Sequence, residues 1–407
     1  MVEAVERYLS EHDKGRYFRE EFDRFCKKEK LALSCPVIHI TGSNGKGSTA
    51  NFLAHIYQAA GYQVASFIKP AFLCVNECIR FNDEEIDDET LSSLFKESEK
   101  AFLKYGLSAF ETTVAIAYRY FESKHPDIAI IEAGMGGDID ATNIVDLPTV
   151  LSIITSVSLE HTAYLGTTVS QIAYAKAGII KDETPVLVGK LDEAAKEPIR
   201  EYASDMDAPF FEVDEAHFEN LQNGEFHFDY RPYKDLSIPT ASLYQIKNAA
   251  LAIEATKILN ASFPVTEEAV RKGLLMGMLP GRFERRGNVI FDGAHNPEAS
   301  QSLVDSLGRL SLEKPVHILF AAMRDKNIAV MLPMLNRDAA SITLTTFPHF
   351  RARTEEDYFL YVGDYPFVED PKAALDELLE KYPEDYILVT GSLAFVGFLR
   401  NIAGDLR

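Results

Sequence analysis

Short apolar runs alternate with longer segments of helical periodicity along nearly the whole chain. Five runs in the first half are typical of strands buried on both faces, and they lie at residues 36–40, 62–68, 127–132, 150–155 and 185–189. Buried strands joined by helical segments indicate a mainly parallel sheet. The pattern therefore predicts an α/β fold.

Two places interrupt this alternation. Phe226–Tyr230 alternates apolar and polar residues after Asn223-Gly224, which predicts a small antiparallel hairpin. Residues 244–279 are almost wholly helical, and alternation resumes after Pro280-Gly281. We therefore predict two domains, a P-loop-type sheet domain at 1–280 and a smaller Rossmann-like α/β domain at 281–407. Strands of the second domain are expected at residues 288–292, 317–321, 342–347 and 386–390, with a final helix from Ser392.

Composition excludes several classes of protein. Of the 407 residues, 46% are hydrophobic and 25% charged, which is the balance of a globular protein and not of a disordered, collagenous or coiled-coil chain. No apolar run reaches the roughly 20 residues of a membrane span, and the acidic first residues do not resemble a secretory signal. The net charge of −21 argues against nucleic-acid or anionic-membrane partners. We expect a cytoplasmic monomer.

The four cysteines, Cys26, Cys35, Cys74 and Cys78, form no CxxC pair. We expect reduced thiols and no structural zinc site, because no second Cys or His pair lies near Cys74 and Cys78.

A glycine-rich turn follows the apolar strand that ends near Ile40 and opens a helix ending at Gly61. Such a turn lets backbone N–H groups approach phosphate oxygens at a helix N-terminus. Its lysine supplies a charge for the outer phosphates, and its hydroxyls can bind Mg²⁺. The turn departs from the strict GxxxxGK[ST] pattern, because Ile occupies position 40 and Gly47 follows the lysine. The predicted ATP-binding turn is Thr41, Gly42, Ser43, Asn44, Gly45, Lys46, Gly47, Ser48 and Thr49.

The altered turn TGSNGKGST resembles the ATP-binding loop of the Mur ligase superfamily, and within it of the folylpolyglutamate and dihydrofolate synthase family. Further matches follow in order along nearly the whole chain. The resemblance implies a Mur ligase central-type domain followed by a ligase domain. It also implies ATP and one or two Mg²⁺ ions, with Lys46 as a catalytic residue.

The metal ligands implied by the resemblance are Ser48, Glu132 and His161. Glu132 ends a strand at the sheet edge where ligands of parallel sheets bind, and a carboxylate there can hold Mg²⁺. His161 carries over from a family pattern Asp-His, although Glu160 replaces the Asp. Lys69 stands where the family usually has a metal-binding Ser, so Lys69 is expected on the substrate side, and the number of ions is open.

Lys176, in the segment Ala175–Lys181, matches a family lysine that is carbamylated by CO₂. The alternative is a structural one: Lys176 lies near a helix C-terminus capped by Gly178, where the helix dipole favours a positive charge. The sequence does not separate these two interpretations. Glu111 resembles a substrate-side glutamate, but Ser108 and Glu111 also form a capping box, which we favour.

Residues around the domain junction resemble the family's nucleotide contacts across the cleft between its domains. The resemblance implies that Asn248, Arg282 and Asp292 bind ATP, that His295 is catalytic and that Ser392 holds the incoming glutamate. The basic segment His349–Arg353 either binds a carboxylate or is a solvated loop.

The reaction implied is ATP-dependent ligation of L-glutamate to a folate or to dihydropteroate, through an acyl phosphate, giving ADP and phosphate. Two alternatives remain. A cell-wall Mur ligase usually carries a further N-terminal domain, for which about 40 residues before the turn leave little room. A nucleotide-binding homologue that has lost activity would explain Lys69.

Overall fold

The structure, a computed structural model, describes residues 2–12, 19–72, 74–222, 225–309, 314–361 and 363–404. These form two compact units. The first comprises the described parts of Met1–His217 together with Asp229–Leu236 and Lys247–Gly277. The second comprises those of Phe218–Phe228, Ser237–Ile246 and Met278–Arg407. The functional division at residues 280 and 281 stays a prediction.

An eight-stranded sheet forms the centre of the first unit, in the order β4-β3-β2-β5-β1-β6-β7-β8. All its pairings are parallel except β2 with β3 and β3 with β4. Its strands are β1 (Val37–Thr41), β2 (Val64–Phe67), β3 (Ile79–Phe81), β4 (Glu84–Glu85), β5 (Ile128–Glu132), β6 (Thr149–Ile154), β7 (Val186–Val188) and β8 (Phe210–Glu212).

Helices cover this sheet, and alternate strand residues pack against them: Val37, Phe67 and Ile131 share one core with Phe22 and Phe25. The helices up to residue 276 are α1 (Val2–His12), α2 (Arg19–Glu29), α3 (Lys46–Ala59), α4 (Asp88–Tyr105), α5 (Ala109–Lys124), α6 (Thr162–Leu165), α7 (Val169–Ala177), α8 (Glu193–Asp205), α9 (Leu243–Ile258) and α10 (Glu267–Met276), with a 3₁₀ turn at Val75–Cys78.

A separate three-stranded sheet has the order β11-β10-β9. Its strands are β9 (His217–Gln222), β10 (Glu225–Tyr230) and β11 (Tyr233–Ile238). The predicted turn residues Asn223 and Gly224 lie outside the described residues, but the strands on either side of them are neighbours, as a hairpin requires.

The second unit contains a six-stranded sheet in the order β12-β13-β17-β14-β15-β16. It is parallel except between β12 and β13. The strands are β12 (Arg282–Arg286), β13 (Val289–Asp292), β14 (Val316–Phe320), β15 (Ser341–Thr345), β16 (Phe367–Val368) and β17 (Tyr386–Thr390). The helices are α11 (Pro297–Arg309), α12 (Ile328–Asn336), α13 (Pro371–Lys381) and α14 (Leu393–Ile402), with a 3₁₀ turn at Glu356–Tyr358.

The predicted α/β class with mainly parallel sheets is confirmed, and the predicted strands appear within one or two residues of their expected bounds. Among the helices of the described residues, none combines the length and the apolar character that crossing a membrane requires.

Candidate active site

The turn between β1 and α3 is held in shape by the loop that follows β6. The Ser43 amide donates to the carbonyl oxygen of Ser156 (2.8 Å), and the Asn44 amide donates to the Ser156 hydroxyl (2.8 Å). The Thr155 hydroxyl in turn donates to the Asn44 carbonyl oxygen (2.6 Å). Sequence reasoning missed Thr155 and Ser156, because nothing local marks two small residues at a strand end as supports for a turn more than a hundred residues away.

Gly45 precedes α3 with φ of +86°, a conformation that L side chains rarely adopt. A Cβ at this position would lie 2.3 Å from Oδ1 of Asn248, so the turn and α9 meet where only a glycine fits. This contact places the predicted ATP-binding residue Asn248 directly against the predicted ATP-binding turn.

The Lys46 ammonium lies within the turn. Its Nζ donates to the carbonyl oxygens of Gly42 (2.8 Å) and Ser43 (3.4 Å), and the side chain is half-buried. A point charge inside a turn at a helix N-terminus is suited to binding the outer phosphates of a nucleotide.

Glu132 lies beside this turn because β5 is the direct neighbour of β1. Ile40 pairs with Glu132 across the two strands, and Glu132 is buried, at 5% exposed. Its Oε2 accepts the backbone N–H of Lys69 (2.9 Å). The Thr41 hydroxyl, at the end of β1, donates to the Gly136 carbonyl oxygen (2.5 Å) and so joins the start of the turn to the loop after β5.

The residues at this edge are chemically suited to Mg²⁺. Ser48 and Thr49 are buried in the first turn of α3, and among the described residues the Thr49 hydroxyl has no hydrogen-bond partner. Hydroxyl and carboxylate oxygens are the donors that Mg²⁺ prefers, with water or substrate phosphate completing its shell. The described residues contain no group of three or more His, Cys, Asp or Glu arranged for a metal, and the predicted set contributes two of these types, Glu132 and His161.

Lys176 forms a buried ion pair with Glu160, with 2.8 Å between Nζ and Oε1. The Lys176 side chain is 1% exposed, and burial together with the charge of Lys46 lowers its pKa to about 8 against the opposing effect of Glu160. Burial alone would raise the pKa of Glu160, but Lys176 and Lys46 bring it down to about 2. Sequence reasoning treated Glu160 only as a departure from the family pattern, so its pairing is a new result.

The other predicted site residues of the first unit are His161, Lys69 and Glu111. His161 is exposed and is the N-cap residue that precedes α6, with φ of +46°. The Lys69 ammonium lies 4.8 Å from the centre of the Phe110 ring. Glu111 completes the capping box of α5: its Oε2 accepts the Ser108 amide (2.7 Å) and hydroxyl (2.6 Å), and burial raises its pKa. The capping-box interpretation is confirmed, and a contact of Glu111 with substrate stays a prediction.

In the second unit, Asp292 ends β13 and is almost completely buried, at 1% exposed. Its Oδ2 accepts the Tyr244 hydroxyl (2.6 Å) and the Phe283 amide (3.0 Å), and its Oδ1 accepts the Ala294 amide (2.9 Å). Burial raises the pKa of Asp292, while these bonds and the charge of Arg282 oppose the rise. Arg282 lies opposite Asp292 in the pairing of β12 with β13.

His295 and Ser392 lie in the loops that follow β13 and β17, which are neighbouring strands. His295 Nδ1 is 2.9 Å from the Gly293 carbonyl oxygen, and Ser392 is buried at the N-terminus of α14. In the basic segment, Arg351 pairs with Asp325 (2.7 Å), and Arg353 donates to the carbonyl oxygens of Arg324 (2.9 Å) and Lys326 (3.1 Å). Arg353 therefore has a structural role, because it joins the basic segment to the backbone of residues 324–326.

Two Mur ligase family descriptions match this sequence. "Mur ligase middle domain" covers residues 40–256, and "Mur ligase, glutamate ligase domain" covers residues 281–393.

Individual proteins match over nearly the full chain. The dihydrofolate synthase/folylpolyglutamate synthase of Bacillus subtilis (strain 168) is 32% identical over 385 residues, which is 89% of each chain. A solved folylpolyglutamate synthase from Thermotoga maritima is 30% identical with a TM-score of 0.85, covering 100% of this chain and 98% of that one. The E. coli FolC structure in complex with DHPP and ADP is 28% identical with a TM-score of 0.88, covering 98% of this chain and 97% of that one. The family expected from the motifs is therefore confirmed.

Proposed function

This chain belongs to the folylpolyglutamate and dihydrofolate synthase family of Mur ligases, which are ATP-dependent ligases, and from that premise we propose the reaction of this member. It joins the amine of L-glutamate to the γ-carboxylate of a reduced folate, and the same site would accept the carboxylate of dihydropteroate. The observation that carries the proposal is the turn 42–45, which is held by a neighbouring loop, contacts Asn248 and encloses the Lys46 ammonium.

The chemistry requires ATP because a carboxylate does not react with an amine at neutral pH, where oxide would have to leave. The folate carboxylate attacks the γ-phosphorus of ATP, the bond to the β-phosphate oxygen breaks, and ADP leaves. The glutamate amine then attacks the carbonyl carbon of the acyl phosphate, loses a proton and expels phosphate, which leaves an amide.

Two anions meet in the first step, so the site must offset their repulsion. Backbone N–H groups at the start of α3 and the Lys46 ammonium would hold the phosphates and neutralise the charge that develops on them. Ser48, Glu132 and His161 would hold Mg²⁺, which when bound supplies positive charge to the phosphate oxygens.

Lys176 and Glu160 would provide a second charged element near Lys46. Burial increases the fraction of the Lys176 amine that is neutral, the form that reacts with CO₂, whereas the ion pair with Glu160 favours the ammonium. We therefore assign the role to the ion pair and not to a carbamate. In the second unit we propose that Arg282 and His295 serve the nucleotide, that Asp292 fixes the turn that carries His295, and that Ser392 serves the incoming glutamate. Lys69 would face the acidic substrate. We also propose that the protein acts as a cytoplasmic monomer on small molecules.

The test is to incubate the protein with ATP, Mg²⁺ and L-glutamate and to offer tetrahydrofolate, dihydropteroate or a nucleotide-linked cell-wall precursor in separate reactions. ADP release and the product mass are measured. We expect glutamate addition to tetrahydrofolate, and addition to dihydropteroate would extend the activity to dihydrofolate synthesis. Turnover of the cell-wall precursor alone, or of none of the three, would overturn the proposal.

A further inference from the structure

The loop that follows Glu132 and the end of the helix that carries Lys176 are in close backbone contact. A Cβ on Gly137 would lie 2.6 Å from the Lys176 carbonyl oxygen and 2.8 Å from that of Ala175. The Asp138 amide donates to the Ala175 carbonyl oxygen (3.3 Å). Small shifts of this loop must therefore move the helix end, because there is no space between them.

Asn143 joins these two segments through its side chain, which is 5% exposed. Its Nδ2 donates to the carbonyl oxygens of Gly137 (3.0 Å) and Gly178 (2.9 Å), and its Oδ1 accepts Nζ of Lys181 (2.6 Å). One amide group thus bridges the loop after β5 and the turn after α7, and its bonding capacity is used on both atoms.

The backbone of Asn143 is fixed independently by Arg19, the first residue of α2. Arg19 donates from Nη1 to the Asp140 carbonyl oxygen (2.6 Å) and from Nη2 to the Asn143 carbonyl oxygen (2.6 Å), while its Nε pairs with Asp23 (2.8 Å). A planar guanidinium with three occupied positions restricts the segment to one orientation.

We propose that Asn143 is a positioning residue of the ligase reaction, which fixes the end of the helix that carries Lys176 against the loop that follows Glu132. This rests on the proposed function, because it concerns the relative placement of two of its candidate residues. The role is one of geometry: Asn143 keeps Lys176 paired with Glu160 at a fixed place relative to Glu132, and it touches neither substrate nor the reacting atoms.

The test compares Asn143→Asp with Ser152→Ala. Asn143→Asp keeps the size and the acceptor for Lys181 but loses both donors. Ser152 is a matched control, since its buried hydroxyl donates to the Ile179 carbonyl oxygen (2.9 Å) in the same turn without bridging to the loop after β5. We expect Asn143→Asp to lower kcat at least tenfold with KM for ATP changed less than twofold, and Ser152→Ala to leave kcat within twofold.

A second readout does not depend on turnover. The rate at which an amine-acetylating reagent labels Lys176, measured by mass spectrometry, reports how well that amine is held in its buried pair. We expect labelling at least fivefold faster in Asn143→Asp and less than twofold faster in Ser152→Ala. If Asn143→Asp does not fold, Arg19→Lys takes its place, with an expected threefold loss of kcat.

The outcomes separate the two ideas. A wild-type protein that ligates none of the acids overturns the proposed function alone, and the labelling comparison then still decides the positioning role. Unchanged Lys176 labelling in Asn143→Asp, or equal effects of Asn143→Asp and Ser152→Ala, would overturn the positioning role. If Asn143→Asp does not fold and Arg19→Lys is measured in its place, an unchanged kcat of Arg19→Lys would overturn the positioning role.

Discussion

The turn between β1 and α3 in the first unit and the turn between β13 and α11 in the second both lead from a buried strand into a helix. In the first, the backbone is held from outside by Thr155 and Ser156, and the Lys46 ammonium donates to carbonyl oxygens of its own turn. In the second, the Asp292 carboxylate accepts three hydrogen bonds from within its own unit. Folding therefore leaves Lys46 half-buried on two carbonyl oxygens, whereas it encloses Asp292 in the bonds that build its turn.

A sequence motif therefore does not show which of its hydrogen-bonding positions are already occupied in the folded protein. An ammonium has three donors and a carboxylate about four acceptor positions. Lys46 has a half-buried side chain and can exchange its two contacts to carbonyl oxygens for contacts to phosphate, whereas the buried Asp292 would have to give up bonds that shape its turn. Substitutions should therefore affect chemistry in the first turn and stability in the second.

The largest expected effect is on catalysis in the first turn. Lys46→Ala should lower kcat/KM for ATP-dependent ligation by at least about 10²-fold, as the loss of a preorganised charge does. Stability should change by less than about 1 kcal/mol, because the side chain that is lost is half-buried and bonded to carbonyls. Steady-state kinetics and urea unfolding measure the two. Lys190→Ala, a surface change 57% exposed, is the control, and a fully active Lys46→Ala would remove the turn from the mechanism.

The next effect is on stability in the second turn. Asp292→Asn places an NH₂ group against at least one of the backbone amides of Phe283 and Ala294, which should cost about 2–3 kcal/mol of unfolding free energy. Tyr244→Phe removes one donor and should cost about 1 kcal/mol. Urea unfolding checks both. If Asp292→Asn leaves stability unchanged and raises KM for ATP, the contrast between the turns is wrong.

Much of the fold could be predicted because buried parallel strands are apolar throughout, and that pattern is local in the sequence. β12 could not, since Arg282–Arg286 is mostly charged and forms an antiparallel edge strand whose pairing depends on β13. The turn at 41–49 could also be predicted, because its glycines, its lysine and its hydroxyl residues are adjacent in the sequence. Its supports Thr155 and Ser156 were not, because the pairing that brings them there joins distant segments.

The candidate site shows the same limit. Position and residue type indicated Lys176 and Glu132, but not the ion pair of Lys176 with Glu160 nor the bridge through Asn143. Glu111 shows the converse, because its local capping pattern correctly predicted where its carboxylate would bond.

A backbone change at the start of α3 should have a different effect from one at its end. Gly45→Ala forces an L residue into a positive φ and its Cβ into Asn248, so we expect a cost of about 2 kcal/mol together with weaker nucleotide binding. Gly61, which follows the other end of α3, has φ of +95°, and no atom of the described residues lies within 4 Å of the place that its Cβ would take. Gly61→Ala should cost about 1 kcal/mol and leave nucleotide binding unchanged. Calorimetric titration with ADP separates the two, and equal binding by both variants would contradict a role for the tight contact.

The smallest expected effect is the change of the unfolding free energy with pH, and its sign differs between a group of the first unit and a group of the second. His39 lies in β1, two residues before the turn, and burial with the nearby charge of Lys181 lowers its pKa from 6.5 to about 3. Between these values the unfolded chain binds a proton that the folded chain does not, so stability falls as the pH is lowered below 6.5. For Asp292 burial raises the folded pKa above 3.8, so its protonation favours the folded state.

Acid should therefore weaken the strand that carries the first turn. At pH 5.5 the His39 contribution should be lower by about 1 kcal/mol than at pH 7.5. His39→Gln retains a hydrogen-bonding group for the Thr142 hydroxyl, 2.9 Å from Nε2, but does not titrate. The unfolding free energy of the wild type should consequently fall more steeply over this range than that of the variant, and hydrogen exchange should locate the loss in β1 and not in β13. Equal slopes would mean that His39 takes up a proton in the folded state, which its complete burial opposes.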